Sequence, residues 1–214
     1  MLAATELGRQ VEGRWLWRGL SFDLAAGDCV GLVAPSGAGK TLLLRSLVWL
    51  DPLQQGEVWF EGRSLTDWAL PDYRTQVMYL SQRPAVIEGS VADNLQQPFT
   101  LAQHRHRRYQ AERILSWLDA LGRGPDFLRL KSTQLSGGEL QLLALLRALQ
   151  LDPKILLLDE PTASLDPATT AQVEALLGQW LQMSPRAVMV TSHDPSQIDR
   201  FTHRKLVLEA IPHG

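Results

Sequence analysis

The residues able to do chemistry fall at strand ends and helix starts. Ala34, Pro35, Ser36, Gly37, Ala38, Gly39, Lys40 and Thr41 follow the short apolar run Cys29–Val33 and lead into Leu42–Leu47, which reads as a helix. Strand, loop of small residues and helix in that order make a phosphate-binding loop. Its backbone N–H groups can curl round a phosphate, and the helix N-terminus adds partial positive charge. In such a loop Lys40 reaches the β and γ phosphates and the Thr41 hydroxyl binds Mg²⁺. The plain alternative is a glycine turn that binds nothing, and the intact Gly39-Lys40-Thr41 argues against it. The pattern usually opens on glycine, but Ala34 stands there instead. A Cβ restricts positive φ, so a tighter loop or an altered nucleotide affinity is expected.

Asp159 and Glu160 close the apolar run Ile155–Leu158. Carboxylates at the carboxyl end of a buried strand lie where ligands bind in open α/β sheets. Asp159 is expected to hold Mg²⁺ opposite Thr41, and Glu160 to take a proton from an attacking water. An acidic surface turn after a core strand is the other reading of the pair. Ser136, Gly137 and Gly138 open a helix and offer N–H groups and a hydroxyl to an anion. The same residues also read as an N-cap, with Glu139 completing a capping box. Gln82 and His193 each follow a short apolar strand; alone, they read as a polar strand end and as a loop or cap histidine.

The elements that must position these residues can be read in chain order. Leu7–Leu24 reads as short strands of an antiparallel edge sheet, and Gln55–Arg63 as a hairpin. From 89 to 130 the pattern turns helical, with Ile114, Leu115, Leu118 and Leu121 expected on one face. The run His104–Arg108 falls there, as a solvated helix face. Strand and helix alternate again to the end: Glu139–Leu151, Lys154–Leu158, Ala168–Gln182, Ala187–Thr191 and Lys205–Leu208. The fold class is therefore α/β: a P-loop NTPase core with a parallel sheet wrapped by helices, an N-terminal antiparallel β subdomain and an inserted helical subdomain. The expected organisation is one domain over 1–214, with the core in 1–88 and 131–214 and the helical part in 89–130.

Composition narrows the partners. A net charge of −2 gives no overall basic field for nucleic acid. The single cysteine, Cys29, lies in an apolar strand and reads as core packing. No run of about 18 apolar residues occurs, and the N-terminus lacks a signal-peptide layout.

Together these motifs resemble the nucleotide-binding subunits of ATP-binding cassette (ABC) transporters. Ala34–Thr41 looks like the Walker A loop, Gln82 like the Q-loop glutamine and Leu135–Glu139 like the signature. Ile155–Glu160 looks like the Walker B strand, Ser164–Asp166 like the D-loop and His193 like the switch histidine. They stand in the family's order and cover nearly the whole chain. The resemblance implies ATP and Mg²⁺ as ligands, with Lys40, Gln82, Glu160 and His193 catalytic and Thr41, Gln82 and Asp159 on the metal. It also implies a head-to-tail homodimer in which Ser136–Gly138 completes the partner's site, and a separate transmembrane permease subunit that holds the protein peripherally at the cytoplasmic face of the inner membrane. No nucleic-acid partner is expected.

Besides Ala34, two positions depart from the family pattern. Val11 stands near the usual adenine-stacking aromatic, with Trp15 and Trp17 as substitutes or as packing of the edge sheet, and Leu142 replaces an arginine. The surface around Gln82–Asn94, with Pro84, Val86 and Ile87 as exposed apolar candidates, is expected to receive the permease. The stretches Tyr73–Val77 and Gly89–Leu95 look like exporter-type domains, yet Arg129–Gln134 stands where full exporters carry a glutamate-bearing loop; a short chain combining these traits is similar to the ATP-binding component of a bacterial iron exporter. The alternative from another class is a soluble ABC ATPase working on DNA or ribosomes, for which His104–Arg108 is the one supporting feature.

Overall fold

The computed structural model describes residues 1–209. Two strands, β1 (Leu2–Val11) and β2 (Arg14–Leu24), pair antiparallel. They are joined by Glu12-Gly13, both at positive φ (51° and 78°), the backbone that lets a tight hairpin match strand twist. The phosphate-loop strand β3 (Cys29–Val33) leads to α1 (Lys40–Leu47). A second hairpin, β4 (Gln55–Phe60) and β5 (Arg63–Ser64), turns at Glu61-Gly62. Then come α2 (Leu70–Gln76), β6 (Val77–Leu80), α3 (Val91–Gln96) and α4 (Ala111–Ala120). The chain closes with α5 (Gly137–Leu149), β7 (Ile155–Asp159), α6 (Pro167–Gln182), β8 (Ala187–Thr191), α7 (Pro195–Phe201) and β9 (Arg204–Val207).

The strands form an antiparallel sheet in the order β2-β1-β4-β5 and a parallel sheet in the order β6-β7-β8-β3-β9. The parallel sheet is buried on both faces, and the alternation of its side chains divides the core in two. Leu156, Leu158, Val188 and Val190 face one apolar cluster with Trp180 of α6 and the Leu-rich side of α5. Ile155, Leu157, Ala187 and Met189 face the other, with α1, Tyr73 and the antiparallel sheet. The parallel register aligns Leu80 with Leu158 and Asp159 with Thr191. The ends of β6, β7 and β8 therefore stand side by side, with β3 next in the row.

Two expectations for residues 89–130 are corrected. On α4 the buried residues are Ile114, Trp117 and Leu118, followed by Leu121, while Leu115 is exposed. At about 100° per residue Leu115 points well away from that stripe, whereas Trp117 falls on it. The run His104–Arg108 is a set of turns, with His104 N–H on Leu101 O and Arg107 N–H on His104 O. Arg105 and Arg108, three apart, would set like charges side by side on a helix, and the two histidines are weak helix formers. His104 is only 6% exposed, and Arg107 bonds to the Leu151 carbonyl. The run therefore presents no continuous basic face.

Where α5 gives way to β7, Asp152 takes positive φ (46°). Its carboxylate accepts both guanidinium nitrogens of Arg113 from α4, at 2.8 and 2.9 Å, and Arg186 beside β8, at 2.6 Å. Burial opposes its charge, but Arg113 and Arg186 hold the carboxyl below its ordinary range. Each guanidinium also lies over a tryptophan: Arg113 over Trp117 at 4.5 Å and Arg186 over Trp180 at 4.4 Å.

Candidate functional site: the row of strand ends

The loop after β3 is shaped by Gly37 (φ 78°) and Gly39 (φ 88°). Positive φ does not fall on Ala34, so its Cβ costs the loop nothing and the expected tightening is corrected. The Ala34 carbonyl instead accepts Lys40 Nζ at 3.0 Å. Gly39 is required for a second reason: a Cβ there would stand 3.0 Å from Leu16 Cδ1 and from Trp17 Nε1. Trp17, 3% exposed, packs against the loop from β2 as part of the core. Trp15 is half-buried with Arg18 over its ring, and Val11 is exposed at the hairpin end.

The N-cap of α1 is Gly39, with no side-chain cap. Its first-turn N–H groups thus lack the usual capping oxygen, beside the amine of Lys40. Pro35, Ser36 and Gly37 are exposed and Ala38 is buried. Exposed loop, uncapped helix start and lysine fit a polyphosphate.

Thr41 Oγ1 donates to Asp159 Oδ2 at 2.7 Å, which ties the loop helix to β7. Tyr79 OH donates to the same oxygen at 3.1 Å, and Thr191 Oγ1 to Oδ1 at 2.9 Å. A hydroxyl, a carboxylate and the nearby Gln82 amide are hard oxygen donors of the type Mg²⁺ takes. Among the described residues no cluster of three or more His, Cys, Asp or Glu forms a metal cage.

Glu160 carries a backbone strain. Its φ is 51°, a conformation that costs a non-glycine residue about 1–3 kcal/mol and persists only where the surroundings impose it. Glu160 N–H donates to Thr191 Oγ1 at 2.9 Å, and its carbonyl accepts Gln141 Nε2 at 3.3 Å. The side chain is held as firmly. Oε2 accepts Gln82 Nε2 at 2.7 Å, and Oε1 lies 2.6 Å from His193 Nε2. His193 itself is 70% exposed at the side chain. A cavity of about 550 Å³ opens beside Glu160 and His193, lined also by Thr162, Leu165 and Arg200.

Six motif residues therefore gather at the strand ends: Lys40, Thr41, Gln82, Asp159, Glu160 and His193. Ser136, Gly137 and Gly138 do not join them. Ser136 caps α5: its Oγ accepts Glu139 N–H at 3.3 Å, and Glu139 Oε2 accepts Ser136 N–H at 2.9 Å. Those bonds from Ser136 hold the Glu139 carboxyl below its ordinary range. The capping box is thus real, and it leaves Ser136 and Gly137 exposed. Gly138 fits under the Ser164 carbonyl, where a Cβ would come within 2.7 Å. The 136–138 turn thus rides on the 164–166 segment, and Asp166 caps α6 through Ala168 and Thr169 N–H.

Motif reading did not single out Thr191, Tyr79 or Gln141 as members of this network. Thr191 could have been found from its register with Asp159; Gln141 gives no such signal, because its partners are backbone atoms. Of the apolar residues expected at the 82–94 surface, Ile87 is exposed, Pro84 is half-buried and Val86 packs against the core.

The family model described as ABC transporter matches residues 17–163. A phosphonates import ATP-binding protein of Wolinella succinogenes is 36% identical over 205 residues, covering 90% of this chain and 74% of that protein. An Escherichia coli protein named "Probable iron export ATP-binding protein FetA" is 33% identical over 195 residues, covering 91% and 84%. Among solved structures, a dimeric post-hydrolysis state of the ATP-binding cassette MJ0796 with ADP and Pi superposes with a TM-score of 0.84. It shows 26% identity over 98% of this chain and 94% of that one. With the strand-end carboxylates and the uncapped, lysine-bearing loop helix in the same order as the motifs, the chain belongs to the ABC transporter family, as an ATP-binding subunit that hydrolyses ATP.

Proposed function

We propose that two copies of this chain pair head to tail and hydrolyse ATP at two shared sites, energising a separate transmembrane permease. The observation that carries this reading is the division of the motif residues. The loop, the carboxylates, Gln82 and His193 stand together, while the exposed Ser136-Gly137 turn is held by its own capping box and by the 164–166 segment. In the pair, the Ser136, Gly137 and Gly138 N–H groups meet the nucleotide held by the other chain's loop. The likeness to a cassette described as dimeric with ADP and Pi, at 26% identity and TM-score 0.84, supports pairing.

On ATP binding, Lys40 exchanges the Ala34 carbonyl for phosphate oxygens, and the 34–41 amides and α1 N-terminus stabilise the phosphoryl charge. Thr41, Asp159 and Gln82 would hold Mg²⁺, which offsets charge on the β and γ oxygens. Glu160 takes the proton of the attacking water once Gln82 and His193 turn from its carboxylate toward the nucleotide. The bond between the γ-phosphorus and its bridging oxygen breaks, and ADP and phosphate leave. Glu160→Gln is expected to keep ATP affinity and to lower turnover about 10²–10⁴-fold. Parent-level turnover in that variant would remove Glu160 from the mechanism.

The cargo we propose is iron, moved outward. The reading is supported by 33% identity to the named iron export protein and by the exporter-like stretches Tyr73–Val77 and Gly89–Leu95. An importer is the second reading, favoured by the 36% identity to the phosphonates import protein. Raised cell iron on deletion supports export; unchanged iron with impaired phosphonate uptake selects the importer. Among the described residues no helix is long and apolar enough to cross a membrane. We assign the protein to the cytoplasmic face of the inner membrane, held there by its permease, a reading supported by relatives named as ATP-binding proteins of import and export systems. That partner would meet the 82–94 surface around Ile87, next to a groove of about 320 Å³ lined by Leu50, Leu80, Leu101 and Arg147. Affinity capture from solubilised membranes should bring down a multi-span protein; ribosomes or DNA in its place would favour the soluble alternative.

A further inference from the structure

We propose that Gln141 is a positioning residue that couples the Ser136–Gly138 turn to Glu160 of the same chain, so that the two sites of a pair hydrolyse ATP cooperatively. The proposal rests on the paired reading above. Gln141 lies on α5 and is 5% exposed. Its Nε2 donates to the Glu160 and Gln82 carbonyls, each at 3.3 Å, and its Oε1 accepts Ser164 N–H at 3.1 Å. A glutamine amide offers two N–H donors and one carbonyl acceptor, and both ends are engaged, each on backbone. One side chain thus ties the first turns of α5 to the segments that carry Gln82, Glu160 and Ser164.

The positive φ of Glu160 gives that tie its consequence. The backbone there is held from two sides, by Thr191 on the N–H and by Gln141 on the carbonyl. Thr191 belongs to β8 and is fixed in the sheet. Gln141 belongs to the helix whose exposed end would touch the other chain's nucleotide, five residues or about 7.5 Å away along the axis. Gly138, pressed under the Ser164 carbonyl, prevents the turn and the 164–166 segment from shifting independently. When a phosphate seats on 136–138, the displacement of α5 passes through Gln141 to the backbone of Glu160 and Gln82. Each chain thereby reports the state of one nucleotide to the base acting on the other.

The test uses the full chain with Gln141→Leu, which keeps the shape and loses every hydrogen bond. It is paired with Gln141→Glu, which keeps an acceptor for Ser164 and loses the donors to Glu160 and Gln82. Affinity is read with a fluorescent ATP analogue, pairing by light scattering, and cooperativity from the dependence of turnover on ATP concentration. Both variants are expected to bind nucleotide within about twofold of the parent and to pair in ATP. Their kcat should fall about tenfold, and the Hill coefficient should drop from above 1 to 1, a loss within the usual range of coupling between sites. A Gln141→Glu protein as cooperative as the parent, whatever its kcat, overturns the role of Gln141. A parent that neither pairs in ATP nor shows cooperativity overturns the paired reading itself, and with it this proposal.

Discussion

At the scale of the residue, the site depends on groups that hold one another. Asp159 accepts from Thr41, Tyr79 and Thr191, and Glu160 is flanked by Gln82 and His193. The alanine that opens the phosphate loop, which the sequence marks as a departure, has a modest part. Ala34 contributes a carbonyl to Lys40, and its own backbone needs no glycine. Ala34→Gly is therefore expected to leave ATP affinity within about twofold of the parent. It should lower stability by about 0.4–1 kcal/mol through the freer unfolded chain. Titration with a fluorescent nucleotide and a urea melt check the two halves. A tenfold gain in affinity would show that the Cβ does constrain the loop.

At the scale of the element, local order was the legible part. Apolar runs bounded by Gly or Pro located β3, β6, β7 and β8, and the motif residues follow those strands directly. Helix α5 begins two residues before the predicted Glu139, because its capping box starts at Ser136. Residues whose surroundings are set by the rest of the fold were not legible. Leu115 is not among them: the helical period already puts Trp117, and not Leu115, on the stripe of Ile114, Leu118 and Leu121. Gln141 reaches carbonyls 59 and 19 residues away, and no pattern of residue types records a backbone partner.

His104 is a second such case: it lies in a basic run that reads as solvated, yet it is buried with Nδ1 lacking a partner among the described residues. Burial first, then the charges of Arg107 and His106, hold its imidazole below the ordinary 6.5. The unfolded chain then binds the proton more readily than the folded one, so this contribution to stability is intact above about pH 6.5 and is lost as the pH falls below it. His104→Leu should flatten the pH dependence of the urea midpoint between about pH 7.5 and 5.5 relative to the parent. Equal slopes in both proteins would show that His104 is not the titrating group.

At the scale of the whole molecule, the proposed pairing divides each active site between two chains, so turnover should depend on protein concentration. Ser136→Arg places a long cation on the exposed turn, leaving the 34–41 loop and the strand ends untouched. The variant is expected to bind ATP as a monomer and to fail to pair. Light scattering in ATP checks this; dimers of the variant would contradict the shared site. Turnover of the parent should rise more steeply than linearly with protein concentration, since a monomer holds nucleotide without its second anion-binding turn.

The Asp152 node adds a mechanical constraint to that picture. Arg113 on α4 and Arg186 beside β8 close on one carboxylate, each backed by an indole ring. The helical part is thereby pinned to the sheet at the end opposite the row of carboxyl termini. The two guanidiniums face each other across that single carboxylate. Without its charge they would be like charges with no anion between them, so the same contact clasps helical part and sheet together or drives them apart according to the charge on Asp152.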